Sequence, residues 1–214
     1  MLKTFARSIL LVVLTATVTS MAPAPAQATS LAPLTIEQIT DASTYIVRGT
    51  VLDVWTDQDR QGNLWTHARI SVAEVLKGPD TPSEVVVDTF GGVDGSEAAY
   101  VSGSARFSET EDVLVFLDQA RNGRLSPVGM NLGKFTIRRA PGETRKYAAR
   151  VTLDPREHYD ARFLPHPPAD HRMYLDELLP TVEGRLEQGW DGKPIPGLAP
   201  EKLKEINVPA RRIR

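Results

Sequence analysis

Tyr45-Ile46-Val47-Arg48-Gly49-Thr50-Val51-Leu52-Asp53-Val54-Trp55 is the stretch whose reading decides the fold. It is β-branched and aromatic, largely uninterrupted and free of proline, which predicts a long strand. A polar loop follows over Thr56 to Asn63, with Gly62 as its turn residue. Beyond it the chain alternates: Leu64, Ala68, Ile70 and Val72 on one face, His67, Arg69, Ser71 and Ala73 on the other. That period of two predicts a second strand, stopped by Lys77-Gly78-Pro79.

Further strands follow the same logic. Val85-Val86-Val87 and Asp112-Val113-Leu114-Val115-Phe116-Leu117 are apolar on both faces and read as buried strands. Asn122-Gly123 predicts a hairpin turn with positive φ at both positions. Pro141-Gly142 separates Lys134–Arg138 from Tyr147–Leu153, with Phe135 and Ile137 expected inward and Lys134, Thr136 and Arg138 outward. Thr35, three residues before Gln38, has capping-box spacing and predicts a short helix ahead of the first strand. The fold class is therefore mainly β: a small antiparallel, OB-like barrel with a short N-terminal helix and a C-terminal, helix-containing extension. Closure removes the exposed edges that an open sheet must otherwise protect.

The first thirty residues read as a secretory leader. Lys3 and Arg7 precede a short apolar run from Ile9 to Leu14, and Ala26-Gln27-Ala28 has the small-x-small cleavage pattern. The apolar run is shorter than the roughly 20 residues of a spanning helix. The expected organisation is a signal peptide over 1–28, cleaved near Ala28, a barrel domain over 29–154, and a Pro/His-rich extension over 155–214. One helix is expected in the extension, from about Tyr174 to Leu186, interrupted by Pro180, and Arg211-Arg212-Ile213-Arg214 ends an extended tail. Localisation is then periplasmic or secreted, with no integral membrane segment in the mature chain.

Without Lys3 and Arg7 the 25 basic residues fall to 23 against 27 acidic, a charge of −4, which argues against a nucleic-acid partner. The chain has no cysteine, so thiol nucleophiles, zinc–thiolate sites and iron–sulfur clusters are excluded.

Several strings together resemble a known group. Tyr45–Val51, Val72-Ala73-Glu74-Val75-Leu76-Lys77-Gly78, Gly91-Gly92, Val113–Leu117 and Gly133-Lys134-Phe135 look like an uncharacterised family of exported bacterial β-barrel proteins, over residues 34–140. The strand order is also similar to the OB-type barrel of netrin-like modules and tissue inhibitors of metalloproteinases. Those inhibitors chelate a protease zinc through an N-terminal cysteine, which has no counterpart here, so the resemblance implies a fold and carries over no site residue.

Candidate chemistry is sparse. His158, His166 and His171, with Asp154, Asp160 and Asp170, lack metal-ligand spacing. Asp88, Asp94 and Glu97 are acids around a glycine-rich excursion over 88–108, and Gly103-Ser104-Ala105 lacks the second glycine of a nucleophile elbow. No catalytic residue, metal or cofactor is assigned. The binding candidates are Trp55 and Trp65, which flank one loop, with Asp94, Glu97 and Tyr100 of the excursion. The leading expectation is an exported, non-catalytic binding module with a protein partner, such as an extracytoplasmic protease. The alternative is a hydrolase assembled from scattered acids and histidines, His67 among them. A third expectation is an envelope-associated protein touching membrane through its basic tail.

Overall fold

A computed structural model describes residues 34–78, 83–150 and 171–207. Its elements in chain order are α1 (Ile36–Ala42), β1 (Tyr45–Gln58), β2 (Leu64–Lys77), β3 (Glu84–Phe90), β4 (Gly92–Asp94), β5 (Glu97–Ala99), β6 (Asp112–Gln119) and β7 (Leu125–Pro127). A 3₁₀ turn (Met130–Gly133), β8 (Lys134–Arg139), β9 (Lys146–Arg150), β10 (His171–Tyr174), α2 (Leu175–Gln188) and α3 (Pro200–Ile206) complete them. The leader, the His158/His166 cluster with Asp154, Asp160 and Asp170, and the arginine tail lie outside the described residues.

The strand opened by Tyr45 organises everything else. Along its length β1 pairs antiparallel with β2, and its first half also pairs with β6, from Tyr45↔Leu117 to Thr50↔Asp112. β3 joins β2, β7 joins β3 in parallel at Val87↔Leu125, and β7 returns to β6. The order β1-β2-β3-β7-β6 thus closes on itself as a five-stranded barrel of the OB type.

β1 must coil sharply to reach partners on both edges. Its register with β2 shifts between Ile46 and Val47, Arg48 and Gly49, and Val51 and Asp53, and such bulges bend a strand and raise its twist. At Gly49 the chains approach so closely that a Cβ would collide with the Ser71 carbonyl oxygen and sit 2.9 Å from Ile70 Cγ2. Only glycine fits there.

Side-chain alternation then sorts the core into two clusters. Val47, Val51, Ala68, Ile70, Val85, Val87, Val113 and Val115 fill the barrel interior. Ile46, Leu114, Phe116, Phe135 and Ile137 face the other way, under Ile39 of α1, Leu178 and Val182 of α2, and Leu203 of α3. Burying each such side chain contributes about 1.5–3 kcal/mol, and the cysteine-free chain is held by these two layers.

Several expectations need correction. Val86 is exposed while Val85 and Val87 point inward, because no helix among the described residues lies over the outer face of β3. Lys134 and Thr136 are buried, not outward. β8 pairs with β6 at Val113↔Thr136 and Val115↔Lys134, which puts both polar side chains on the face of β6 that looks into the barrel. Glu111 meets them there, 2.6 Å from Lys134 Nζ and 2.5 Å from Thr136 Oγ1. Burial pushes the Lys134 ammonium below its ordinary range, against the pull of Glu111. Finally, the turn at Asn122-Gly123 has positive φ at Gly123 alone. Gly123 N donates to Ala120 O and Ala120 N to Arg124 O, a three-residue loop closed by a glycine bulge.

The capping box forms as expected, with Gln38 N donating to Thr35 Oγ1 and Thr35 N to Gln38 Oε1. The extension supplies two helices among the described residues, α2 and α3, rather than one. α2 continues through Pro180. Arg185 of α2 donates to both carboxylate oxygens of Asp41 of α1, the shortest contact 2.6 Å, with Asp41 buried and Arg185 half-buried. Lys77 donates to Thr40 O and Asn207 Oδ1 beside them.

Replacing Gly49 by Val is expected to cost about 3 kcal/mol or more, since backbone must move to relieve the clash; an unchanged urea midpoint contradicts that account. Burial lowers the Lys77 pKa from 10.5 to about 8, with Asp41 opposing. Between those values the unfolded chain holds a proton that the folded chain has released, so Lys77 favours folding increasingly as pH rises through that window. Stability of the wild type minus that of Lys77→Met should therefore climb between pH 8 and 10 in chemical denaturation, and a flat difference refutes it.

Candidate functional site

Strand alternation places β1 positions 53, 55 and 57, β2 positions 65, 67 and 69, and β3 positions 86, 88 and 90 on the outer face of the barrel. The register sets Trp55 opposite His67 and Asp57 opposite Trp65, then Trp65 opposite Phe90 and His67 opposite Asp88. Among the described residues no helix covers this part of the sheet, yet His67 and Asp88 are buried.

What covers them is a layer of aromatic and guanidinium groups. The Trp55 ring stacks on the His67 ring with centroids 5.1 Å apart and planes at 24°. His67 Nδ1 lies 2.8 Å from Asp88 Oδ1, and Nε2 lies 3.0 Å from Asp57 Oδ1. Asp88 also meets Arg124 at 3.5 Å, and the Arg124 guanidinium sits 4.5 Å over the Trp65 ring. Trp65 packs against Phe90 at 3.8 Å between centroids and donates its indole N–H to Asp59 Oδ2 at 3.0 Å. Hydrogen bonds from Asn63, then Trp65, hold the Asp59 carboxyl well below the usual carboxylate range. The loop that Gly62 turns is thereby tied to the sheet.

This arrangement presents Trp55 (38% exposed), Phe90 (47%) and Val86 (41%) on one side of the molecule. They form an apolar surface whose supporting polar groups lie beneath it. Both His67 nitrogens lie within hydrogen-bonding distance of carboxylates, Nδ1 with the buried Asp88 and Nε2 with the exposed Asp57.

The expected site residues divide between two places. Trp55 and Trp65 share the outer face, but each has its own ring partner, His67 and Phe90 respectively. Asp94 and Glu97 face each other across the β4–β5 hairpin and are exposed. Glu97 accepts from Gln58 Nε2 at 2.5 Å, and neither acid is a partner of His67. Tyr100 is exposed, with the Arg106 guanidinium 5.1 Å from its ring. The rest of the glycine-rich excursion returns to the barrel, where Ala105 and Phe107 join the interior cluster. Asp88, one of the acids around the glycine-rich excursion, is the buried partner of His67 and Arg124. Phe90 and Arg124 carry no sequence signal of their own; they belong to the site because register and the β3–β7 pairing put them there.

No protein-family model matches the chain, and no curated protein matches its sequence. Among the described residues no group of three or more His, Asp or Glu side chains is arranged to hold a metal ion, and no helix is long and apolar enough to cross a membrane.

Removing His67 leaves Asp88 buried with only the longer Arg124 contact. His67→Ala should cost on the order of 2–3 kcal/mol in urea unfolding, whereas Arg69→Ala, exposed on the same strand, should cost under about 1 kcal/mol. Equal losses would show that the network does not support the face.

Proposed function

We propose that this chain is an exported, non-catalytic binding module that holds a protein partner on the outer face of β1–β2–β3. The observation that carries the reading is the exposed Trp55 ring stacked on a histidine that is itself gripped by Asp57 and Asp88. A ring fixed in this way loses little freedom on binding, and Trp, with Arg, dominates the energetic centres of protein interfaces. Phe90 and Val86 widen the apolar patch, and Arg124, Arg69 and Asp53 supply the polar rim.

The export part rests on the leader-like first 28 residues. The partner class we favour is an extracytoplasmic protein, and a protease is the first to test because the OB-type barrel is shared with the metalloproteinase inhibitors it resembles. Lacking their N-terminal cysteine, this chain would make contact through its sheet rather than through a chelated zinc.

The tagged, exported protein should retain one extracytoplasmic protein reproducibly from its native source. A Trp55→Ala/Phe90→Ser variant with an unchanged circular dichroism spectrum should retain at least roughly tenfold less. Equal retention by both, or nothing reproducible on the wild type, would sink the reading.

A further inference from the structure

The inner side of the same strands leads to a second place. Thr66 and Thr89 alternate with Trp65, His67 and Asp88, so they face inward. Together with the β4–β5 hairpin they border a cavity of about 370 Å³ at the end of the barrel. That volume falls in the range of small-molecule sites. Its lining includes Ala105 and Phe107, two buried residues of the barrel core, together with Val93, Val101 and the backbone of Gly91 and Gly92.

The walls are tied in place. Gly91 N donates to Leu64 O at 2.9 Å, Thr66 Oγ1 to Gly91 O at 2.7 Å, and Ser104 Oγ to Phe90 O at 2.7 Å. Asn131 N donates to Gly103 O at 2.9 Å. Such a cavity is pre-formed and needs little ordering when occupied. Thr66 and Thr89 already donate their hydroxyl protons to carbonyl oxygens, Gly91 O and Thr66 O. A ligand therefore meets a largely apolar wall inside.

The charge lies on Arg106, which also lines the cavity and is exposed. Arg48, Arg69, Arg124, Arg145 and Arg185 are each paired with carboxylates, whereas Arg106, like Arg60, Arg121, Arg138 and Arg139, makes no ion pair among the described residues, and of these Arg106 lines the cavity. Its guanidinium lies over the Tyr100 ring instead.

We infer that this cavity is a second binding site, which borders the Trp55 face at Phe90 and does not include Trp55, for a small amphiphilic anion: an apolar chain enters between hairpin and barrel and its carboxylate rests on Arg106. The guanidinium offers paired donors of the geometry a carboxylate accepts.

Calorimetric titration of the full chain with decanoate, decanol and decyltrimethylammonium, below their micelle-forming concentrations, tests this. Decanoate should bind one to one, decanol more weakly and the cationic analogue not at all. Arg106→Gln should weaken decanoate about tenfold, as expected for loss of a hydrogen bond to a charged group, and bring it level with decanol. Ala98→Trp, on the exposed hairpin, should abolish binding by filling the cavity. Val101→Asp, which sets a carboxylate in the wall, gives the same readout should the first variant not fold. Trp55→Ala should leave decanoate binding unchanged. The inference is overturned by absence of saturable decanoate binding, by binding that survives both cavity variants, by equal affinity for all three amphiphiles, or by a loss confined to Trp55→Ala.

Discussion

The close passage of β1 over β2 at Gly49 is the constraint on which the rest of the structure depends. A strand of ordinary twist cannot be paired with β2 from Ile46 to Gln58 and with β6 along its first half without bending. Three register shifts and a position with no Cβ supply the bend. Once β1 closes onto β6, Val47, Val51, Ile70, Val85 and Val113 are brought into one interior, and no strand of the five-stranded ring is left with a free edge for want of closure.

Closure also divides the strands into two surfaces with different chemistry. Inward positions of β2 and β3 carry Ala68, Ile70, Val85 and Val87, ending in Thr66 and Thr89 beside the cavity. Outward positions carry Trp65, His67, Asp88 and Phe90. On the side of β6 and β8 the outward surface is covered by α1, α2 and α3. On the side of β1, β2 and β3 it is covered, among the described residues, by side chains of the strands and of Arg124. An aromatic layer over hydrogen-bonded acids is what allows a histidine and an aspartate to be buried there without a helix above them.

Apart from the His67–Asp88 pair, two groups of buried polar side chains tie elements together. Glu111, Lys134 and Thr136 satisfy one another at the edge of the barrel interior. Asp41 and Arg185 join the first helix to α2, while Asn207 ties the end of α3 to Asp41 O. These contacts fix how the elements meet, since a buried charge deprived of its partner is far costlier than a pair left whole. The apolar layers contribute most of the stabilisation and the buried pairs select one arrangement of them.

Local rules determined much of this. The β1 strand, the alternation of β2, the doubly apolar β6, the Thr35–Gln38 cap and the helix beginning at Tyr174–Leu175 were all legible, because each depends on neighbours within a few residues. Trp55 and Trp65 stood out as candidates because aromatics flanking a loop have a chemical use; Trp55 is exposed and Trp65 half-buried. Tertiary structure alone decided that Val86 faces out and Lys134 in, because which side of a strand is covered depends on elements distant in the chain. It alone decided that His67 lies between Asp57 and Asp88, and that Arg124 reaches Trp65. Those partners stand 10, 21 and 59 positions apart, and only the register of three strands and the return of β7 beside β3 bring them within hydrogen-bonding or stacking distance.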